Sequence, residues 1–219
     1  VIALHYFPGN ASLIVHIVLR ELGVPFELRL VDREHGAHKS AAYLKLNPNG
    51  LIPVLEDGPL VLYEAGAICL HLSDSQPQAR LAPALGTPDR AQLYKWLFWM
   101  ADTLQPVLIA YFYPDRLVAP GNAASAAEVR AQAQSRAGVL LDQLDAQLAA
   151  HGQPWLLGAD FTLLDPYAFV LCRWTRGFSG PASTPARERS HLKPYLERLL
   201  ARPAVQQALA AEQLAEPWV

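Results

Sequence analysis

The stretch over residues 47–72, NPNGLIPVLEDGPLVLYEAGAICLHL, limits this chain more than any other. It opens on Asn47-Pro48-Asn49-Gly50, a run of turn-forming residues. The chain then enters a short apolar run at Val54-Leu55, reverses at Asp57-Gly58, and returns as a second run over 60–62. Two short strands across a glycine-containing turn read as a hairpin. The second strand leads directly into Glu64 and an apolar segment of helical length. Pro53 stands at the mouth of the first strand. A proline there must be at a first position, on an edge or in a bend, because it offers the ladder no N–H. Ile52, just before it, therefore sits at a strand edge beside a helix N-terminus. Free backbone N–H and C=O groups at such a place suit a peptide-like ligand, and the helix N–H groups suit its carboxylate.

The rest of the chain fits around this unit. Ile2 to Tyr6 reads as a strand, Pro8-Gly9-Asn10 as a loop, and 13–22 as a largely buried helix ended by Gly23. A second strand over 26–31 completes a β-α-β unit, which predicts a parallel pair. A polar loop, 32–40, leads to a short helix at 41–46. The order up to residue 72 is therefore β-α-β-α-β-β-α. The next segment, 73–88, holds Pro77, Pro83, Gly86 and Pro88 and reads as a linker. Beyond it the strand signal all but disappears. Apolar residues at helical spacing predict long helices over 89–110, 124–150 and 160–177. A loop over 180–189 and two short helices, 192–201 and 204–212, follow. Thr162-x-x-Asp165 has the form of a capping box with Asp in place of Glu. The expected division is an α/β domain at 1–75, a linker at 76–88 and an all-helical domain at 89–219.

Composition removes several classes of function. With 219 residues, 52% of them hydrophobic, the chain can bury a sizeable core and is too apolar to be disordered. A net charge of −2 without a basic run makes nucleic acid and anionic membrane poor partners. No signal peptide and no apolar run of membrane length is present, so the expected location is the cytoplasm. Cys69 and Cys172 lie far apart in apolar helical segments and are expected to be buried free thiols. Neither they nor the seven histidines show metal-ligand spacing, so no metal is expected.

NPNGLIPVL followed by LYEAGAICLHL resembles the second half of the glutathione-binding domain of cytosolic glutathione transferases. That family carries an asparagine-proline turn, a hydrophobic residue before a cis-proline, and Glu-Ser at a helix start. Ile52-Pro53 and Glu64-Ala65 match, with Ala65 in place of the serine. WLLGADFTLLDPYAFVLCRW is similar to the family's buried, capped helix, and HLKPYLERLLARPAVQQALAAE to the C-terminal helices of its bacterial, beta-type members. HYFPGNASLIVHIVLRELG is similar to the N-terminal run of the same group. The resemblance covers nearly the whole chain. It implies a thioredoxin-like N-terminal domain followed by an all-α domain, with glutathione as co-substrate and no other cofactor. Together with the high apolar fraction, it implies a homodimer associating along 89–110 and 124–150.

Glutathione is an acidic tripeptide with a thiol, so its site needs a peptide-binding edge, partners for its charged ends and a donor for its sulfur. The resemblance assigns the edge to Ile52 and Pro53, the ammonium to Glu64 and the adjacent carboxylate to the Ala65 N–H. A first-turn Glu also favours the helix dipole on its own. His38, in His35-Gly36-Ala37-His38-Lys39-Ser40, is similar to a histidine of theta-like members that reaches the glycine carboxylate. Lys39 is a second cation there, and a Lys or Arg of the linker is an alternative. Beta-type members carry a cysteine where this chain has Ala11, so their protein–glutathione disulfide is not expected. Ser12 retains the next hydroxyl and is the first candidate for the sulfur, with Asn10 and Tyr6 in reserve; its bland alternative is a helix N-cap. His16 reads as a core or supporting residue. Among the aromatic residues of the helical domain, Tyr111, Tyr113 and Phe178 fall at helix ends or loops and are the candidates for lining an acceptor pocket.

Three functions stay open on this basis. The first is conjugation of the glutathione thiolate to a small hydrophobic electrophile, in the service of detoxification and without a catalytic cysteine. The second is glutathione-dependent reduction of disulfides or peroxides, with glutathione supplying both sulfurs. The third is a non-catalytic glutathione- or ligand-binding protein, which Ala11 and Ala65 would favour.

Overall fold

The computed structural model of the protein describes residues 1–180 and 183–219; Pro181 and Ala182, inside the loop expected over 180–189, lie outside the described residues. The chain forms two compact units, Val1–Pro83 with Leu200–Ala215, and Ala84–Leu199 with Glu216–Val219.

The first unit is built on a four-stranded sheet of order β2-β1-β3-β4. Its strands are β1 (Ile2–Tyr6), β2 (Phe26–Leu30), β3 (Val54–Asp57) and β4 (Leu60–Tyr63). β1 pairs parallel with β2 and antiparallel with β3, as the β-α-β unit and the hairpin require. Asp57 pairs with Leu60, so Gly58 and Pro59 form the two-residue turn, with Gly58 at φ 59. Between β1 and β2 runs α1 (Ser12–Leu22), whose residues Ser12 to Leu19 are all buried. A helix apolar on every side is one packed on more than one side, and α1 contacts β1, α3 (Ala65–Ser75) and α9 (Pro203–Ala211). Gly23 ends it in the left-handed conformation. A turn of 3-10 helix (Ala37–Lys39) and α2 (Ala41–Leu44) link β2 to β3.

α9 belongs to this unit although residues 200–215 are distant from it in sequence. Ala204, Val205, Ala208 and Leu209 are its buried face. Arg202, at its start, grips Glu21 of α1 with two bonds of 2.6 and 2.7 Å. Its end is a Schellman motif: Leu214 N–H donates to Leu209 O, Gln213 N–H to Ala210 O, and Gln213 has φ 53.

The second unit is helical: α4 (Pro88–Trp99), α5 (Gln105–Phe112), α6 (Ala123–His151), α7 (Leu164–Trp174) and α8 (Leu192–Leu200). The helix expected over 89–110 is not continuous. A π-helical stretch, Met100–Leu104, separates α4 from α5. Pro106 explains the break, since its ring has no N–H and crowds the carbonyl four residues back. The capping box at α7 forms in its Asp165 half, while the Thr162 hydroxyl serves the neighbouring Leu164 N–H and Asp165 N–H donates to Thr162 O at 3.1 Å. Asp165 Oδ2 accepts from Thr162 N–H at 2.7 Å, and Thr162 Oγ1 accepts from Leu164 N–H at 3.4 Å. All of α7 from Leu164 to Trp174 is buried. Cys69 and Cys172 are buried and free. Among the described residues no helix is long and apolar enough to cross a membrane, and no group of three or more His, Cys, Asp or Glu is placed to hold a metal.

Candidate functional site

Strand register gathers the candidate residues of the first unit at one end of its sheet. His5 pairs with Val54, and Val54 with Tyr63. The residues next in line, Tyr6-Phe7, Ile52-Pro53 and Glu64-Ala65, therefore leave the sheet side by side. β2 ends there too, with Val31 N–H donating to Tyr6 O at 2.9 Å. Strand ends that hand over to helices are where open α/β sheets hold ligands.

The loop before β3 is braced from within. Asn47, almost fully buried, donates through Nδ2 to Leu51 O at 2.9 Å and accepts from Asn49 N–H at 3.0 Å. Tyr43 Oη donates to the same Leu51 oxygen at 2.8 Å, and burial pushes its phenol well above the ordinary range. Gly50 lies at φ 61, and a Cβ there would come within 2.8 Å of both the His38 carbonyl oxygen and Lys39 Nζ. Only glycine allows this approach, which sets the His38 turn against the Ile52 loop. Ile52-Pro53 is a cis peptide. The Ile52 side chain is buried with Val31, Tyr43 and Val54, and its own N–H and C=O bond to no described residue.

Glu64 is exposed and held at φ 73, ψ 113. A glutamate in this region costs about 1–3 kcal/mol, a cost usually kept where function needs the geometry. Its carboxylate has no partner among the described residues. α3 begins at the next residue, and the N–H groups of its first turn have no intrahelical acceptor. His38 is half-buried and Lys39 exposed, with Lys39 Nζ 3.4 Å from Asn49 O.

The three sulfur candidates differ in availability. Ser12 is fully buried, and its Oγ accepts from Phe7 N–H and donates to Phe7 O, both at 3.2 Å. It is not the cap either, since Ala11 occupies that position without a side-chain bond. The single hydroxyl proton of Ser12 is thus already committed. Asn10 is half-buried and its Oδ1 accepts from Ala11 N–H at 2.6 Å, which leaves the Nδ2 donors without a partner among the described residues. Tyr6 is half-buried, and burial first, then the Glu212 charge, raises its phenol above the ordinary range. His16 is buried and faces Glu212.

In the second unit the acceptor candidates form a run of rings. Tyr111 meets Phe112 at 5.1 Å and Phe178 at 4.7 Å, and Phe112 lies 6.5 Å from Tyr113. Tyr111 and Tyr113 are half-buried, but Phe178 is only 4% exposed and backs Tyr111 rather than facing outward. Phe112, 40% exposed, is the ring that the sequence did not single out. Arg116 stacks on Tyr113 at 4.0 Å and Arg130 on Tyr111 at 5.7 Å. Tyr43 and Asn47 were also missed as supports, because their spacing reads only as a short helix and a turn.

Comparison with known proteins agrees with this geometry. Residues 10–75 match the family model "Glutathione S-transferase, N-terminal domain" and residues 99–203 match "Glutathione S-transferase, C-terminal domain". Glutathione S-transferase GST-4.5 of Xanthomonas campestris is 32% identical, over 94% of this chain and 97% of its own. Disulfide-bond oxidoreductase YfcG of Escherichia coli is 29% identical, over 98% of this chain and 97% of its own. A solved glutathione transferase homologue from Sulfitobacter, with bound glutathione, superposes with a TM-score of 0.86 at 25% identity, covering 97% of this chain and 99% of that one.

Proposed function

The chain belongs to the glutathione S-transferase family, whose members are transferases, and we propose that it joins the glutathione thiolate to a small hydrophobic electrophile without a catalytic cysteine. One observation carries this: the Ile52 backbone and the Glu64 carboxylate, neither with a partner among the described residues, lie side by side at the open first turn of α3. The Ile52 N–H and C=O pair with the cysteinyl backbone of glutathione. Glu64 takes the γ-glutamyl ammonium, the Ala65 N–H takes the neighbouring carboxylate, and His38 takes the glycine carboxylate, with Lys39 adding charge. Pro53 shapes the edge.

The sulfur is assigned to Asn10 Nδ2, ahead of Ser12 and Tyr6. Ser12 would have to give up Phe7 O before donating to a ligand. Asn10 stands at the start of α1 with donors to spare. Ala11 supplies no thiol, so no protein disulfide with glutathione forms. A free thiol has a pKa of about 8.5 and is only slightly ionised at neutral pH. Lowering it by ~2 units requires ~2.7 kcal/mol in favour of the thiolate. One hydrogen bond to a charged group contributes ~1.5–3 kcal/mol. The helix dipole adds up to about another 1 kcal/mol. A single amide donor therefore suffices, with no general base. The thiolate then forms a C–S bond as the electrophile's leaving group departs, and the thiol proton has already gone to water. Tyr111, Tyr113 and the backing Phe178 would hold an aromatic acceptor. In this reading 1–75 is the glutathione domain and 89–219 the all-helical domain, whose helices other than α9 hold the acceptor, and the protein is a cytoplasmic homodimer.

The Ala11 substitution and the YfcG relative also support a second reading, reduction of a disulfide by two glutathione molecules. Two thiols become glutathione disulfide, and the substrate leaves as two thiols. Conjugation of 1-chloro-2,4-dinitrobenzene and reduction of hydroxyethyl disulfide, measured side by side, separate the two. Turnover of the disulfide alone selects the reductase. Glutathione binding with turnover of neither substrate selects a carrier.

A further inference from the structure

The turn that bears Asn10 is held by a residue from the other end of the sequence. Glu212 is 3% exposed and sits at the C-cap of α9, its backbone fixed by the Schellman bonds. Glu212 Oε2 accepts from Gly9 N–H at 2.8 Å. Glu212 Oε1 lies 2.8 Å from Nδ1 of His16, which is fully buried. On its other side, His16 Nε2 lies 3.3 Å from Arg20 Nε. The guanidinium can only donate, so His16 Nε2 accepts and Nδ1 carries the proton. Every bond in the chain Arg20 to His16 to Glu212, and in Gly9 to Glu212, then has a fixed direction.

We propose that Glu212 is a positioning residue for the sulfur site: it fixes the Pro8-Gly9 peptide, immediately before Asn10, so that the Asn10 carboxamide points at glutathione. The proposal rests on the assignment of the sulfur contact to Asn10. Both ends of the turn are pinned, Phe7 by Ser12 and Gly9 by Glu212, and Asn10 N–H closes it onto Phe7 O at 3.1 Å. Gly9, at φ 69, brings its Cα side to Leu214, where a Cβ would lie 3.5 Å from Cδ2. An apolar pair would hold α9 on α1 at lower desolvation cost than a buried carboxylate and imidazole. What an apolar pair cannot do is accept the Gly9 N–H. The arrangement also answers an electrostatic difficulty. A carboxylate near a thiolate opposes it, and the relay to the Arg20 cation balances that charge from behind.

Glu212→Gln tests this, because one of its two terminal atoms becomes a donor and meets either Gly9 N–H or His16 Nδ1–H. Glutathione affinity is read by calorimetry and the pKa of the bound thiol by its ultraviolet absorbance. The expected result is about five- to tenfold weaker binding and a thiol pKa raised by about one unit. On an Asn10→Ala background the same change should add nothing further. If the two changes add independently, or the thiol pKa stays put, Glu212 is only structural and the proposal is overturned. If Asn10→Ala by itself leaves the thiol pKa unchanged, the sulfur assignment fails instead, and the positioning role with it. Should Glu212→Gln not fold, His16 gives the same answer. His16→Gln keeps a donor toward Glu212 and an acceptor toward Arg20, and should preserve the thiol pKa. His16→Leu breaks both contacts and should raise it; an unchanged value in a folded His16→Leu protein overturns the proposal.

Discussion

Replacing Asp165 should destabilise the protein in two separable ways. Its carboxylate is completely buried and accepts from Leu156 N–H at 3.0 Å, Thr162 N–H at 2.7 Å and Tyr195 O–H at 2.8 Å. Asp165→Ala strands three buried donors, at about 1–3 kcal/mol each. Against this stands the cost of burying the charge, which pushes the carboxyl from 3.8 up to about 6 despite the hydrogen bonds that pull it down. A shift of that size corresponds to about 3 kcal/mol. The net loss for Ala is therefore about 3 kcal/mol, a large part of a typical stability of about 5–15 kcal/mol. Asp165→Asn keeps an acceptor for Leu156 and Tyr195 and carries no charge, but it turns an NH2 toward Thr162 N–H. It should cost about 1 kcal/mol or less. Urea unfolding followed by tryptophan fluorescence gives both values. The pH profile gives a second check. Because the folded carboxyl binds its proton more tightly than the unfolded one, this group lowers stability as pH rises from about 4 to 6, and its cost is constant above that. Asp145, Glu56 and Asp32 are shifted downward, so their contributions are lost as pH falls below their ordinary values of 3.8 to 4.5, and being common to both proteins they cancel in the difference. The difference between wild type and Asp165→Asn should therefore change with pH only between about pH 4 and 6. Equal losses for Ala and Asn, or a difference that is flat from pH 4 to 6, would refute the reasoning.

Four further outcomes are expected. Glu64→Ala should weaken glutathione by ~1.5–3 kcal/mol, about tenfold or more, by calorimetry; Glu64→Gly should bind as weakly yet gain about 1 kcal/mol against urea, because it relieves the backbone at φ 73. Gly50→Ala should lose about 2–4 kcal/mol and glutathione affinity together, since the new Cβ collides with the His38 carbonyl. Replacing both Arg116 and Arg130 by Gln should weaken 3,5-dinitrobenzoate by about threefold or more while leaving 1,3-dinitrobenzene unchanged, an effect that salt should diminish; tryptophan quenching reads both ligands. Sedimentation should give about twice 24.1 kDa at micromolar concentration, and a monomer would reject the dimer.

Much of the fold was legible because its signals are local. The hairpin, the β-α-β order and the Asp165 half of the Thr162–Asp165 box are each written within a few residues and appear where the spacing places them. Ile52 and Glu64 could be singled out for the same reason. Direction was not legible. Ser12 has the composition of a donor, but only the packed α1 shows its hydroxyl turned inward onto Phe7. Phe178 falls at a helix end, as an exposed ring would, yet it is buried behind Tyr111. Long-range partners left no trace either: nothing near Glu212 in the sequence announces that it will meet Gly9 and His16. The π-helical stretch at Met100–Leu104 was foreshadowed by Pro106, but helical periodicity alone runs through it.

The return of α9 to α1 means that the first unit cannot be finished in the order in which it is synthesised. Glu212 and Gly9 are 203 positions apart, and Glu212 and His16 are 196 apart. During translation the sheet and α1 emerge early, with the α1 surface that α9 will cover still bare and His16 facing no carboxylate. Almost the entire helical unit must leave the ribosome before that surface closes. Contacts of such high order delay completion and favour holdup of a nascent N-terminal half by chaperones. A nascent chain arrested before residue 203 should consequently be cut readily by protease at the turn over 7–11, and one extended past residue 215 should not.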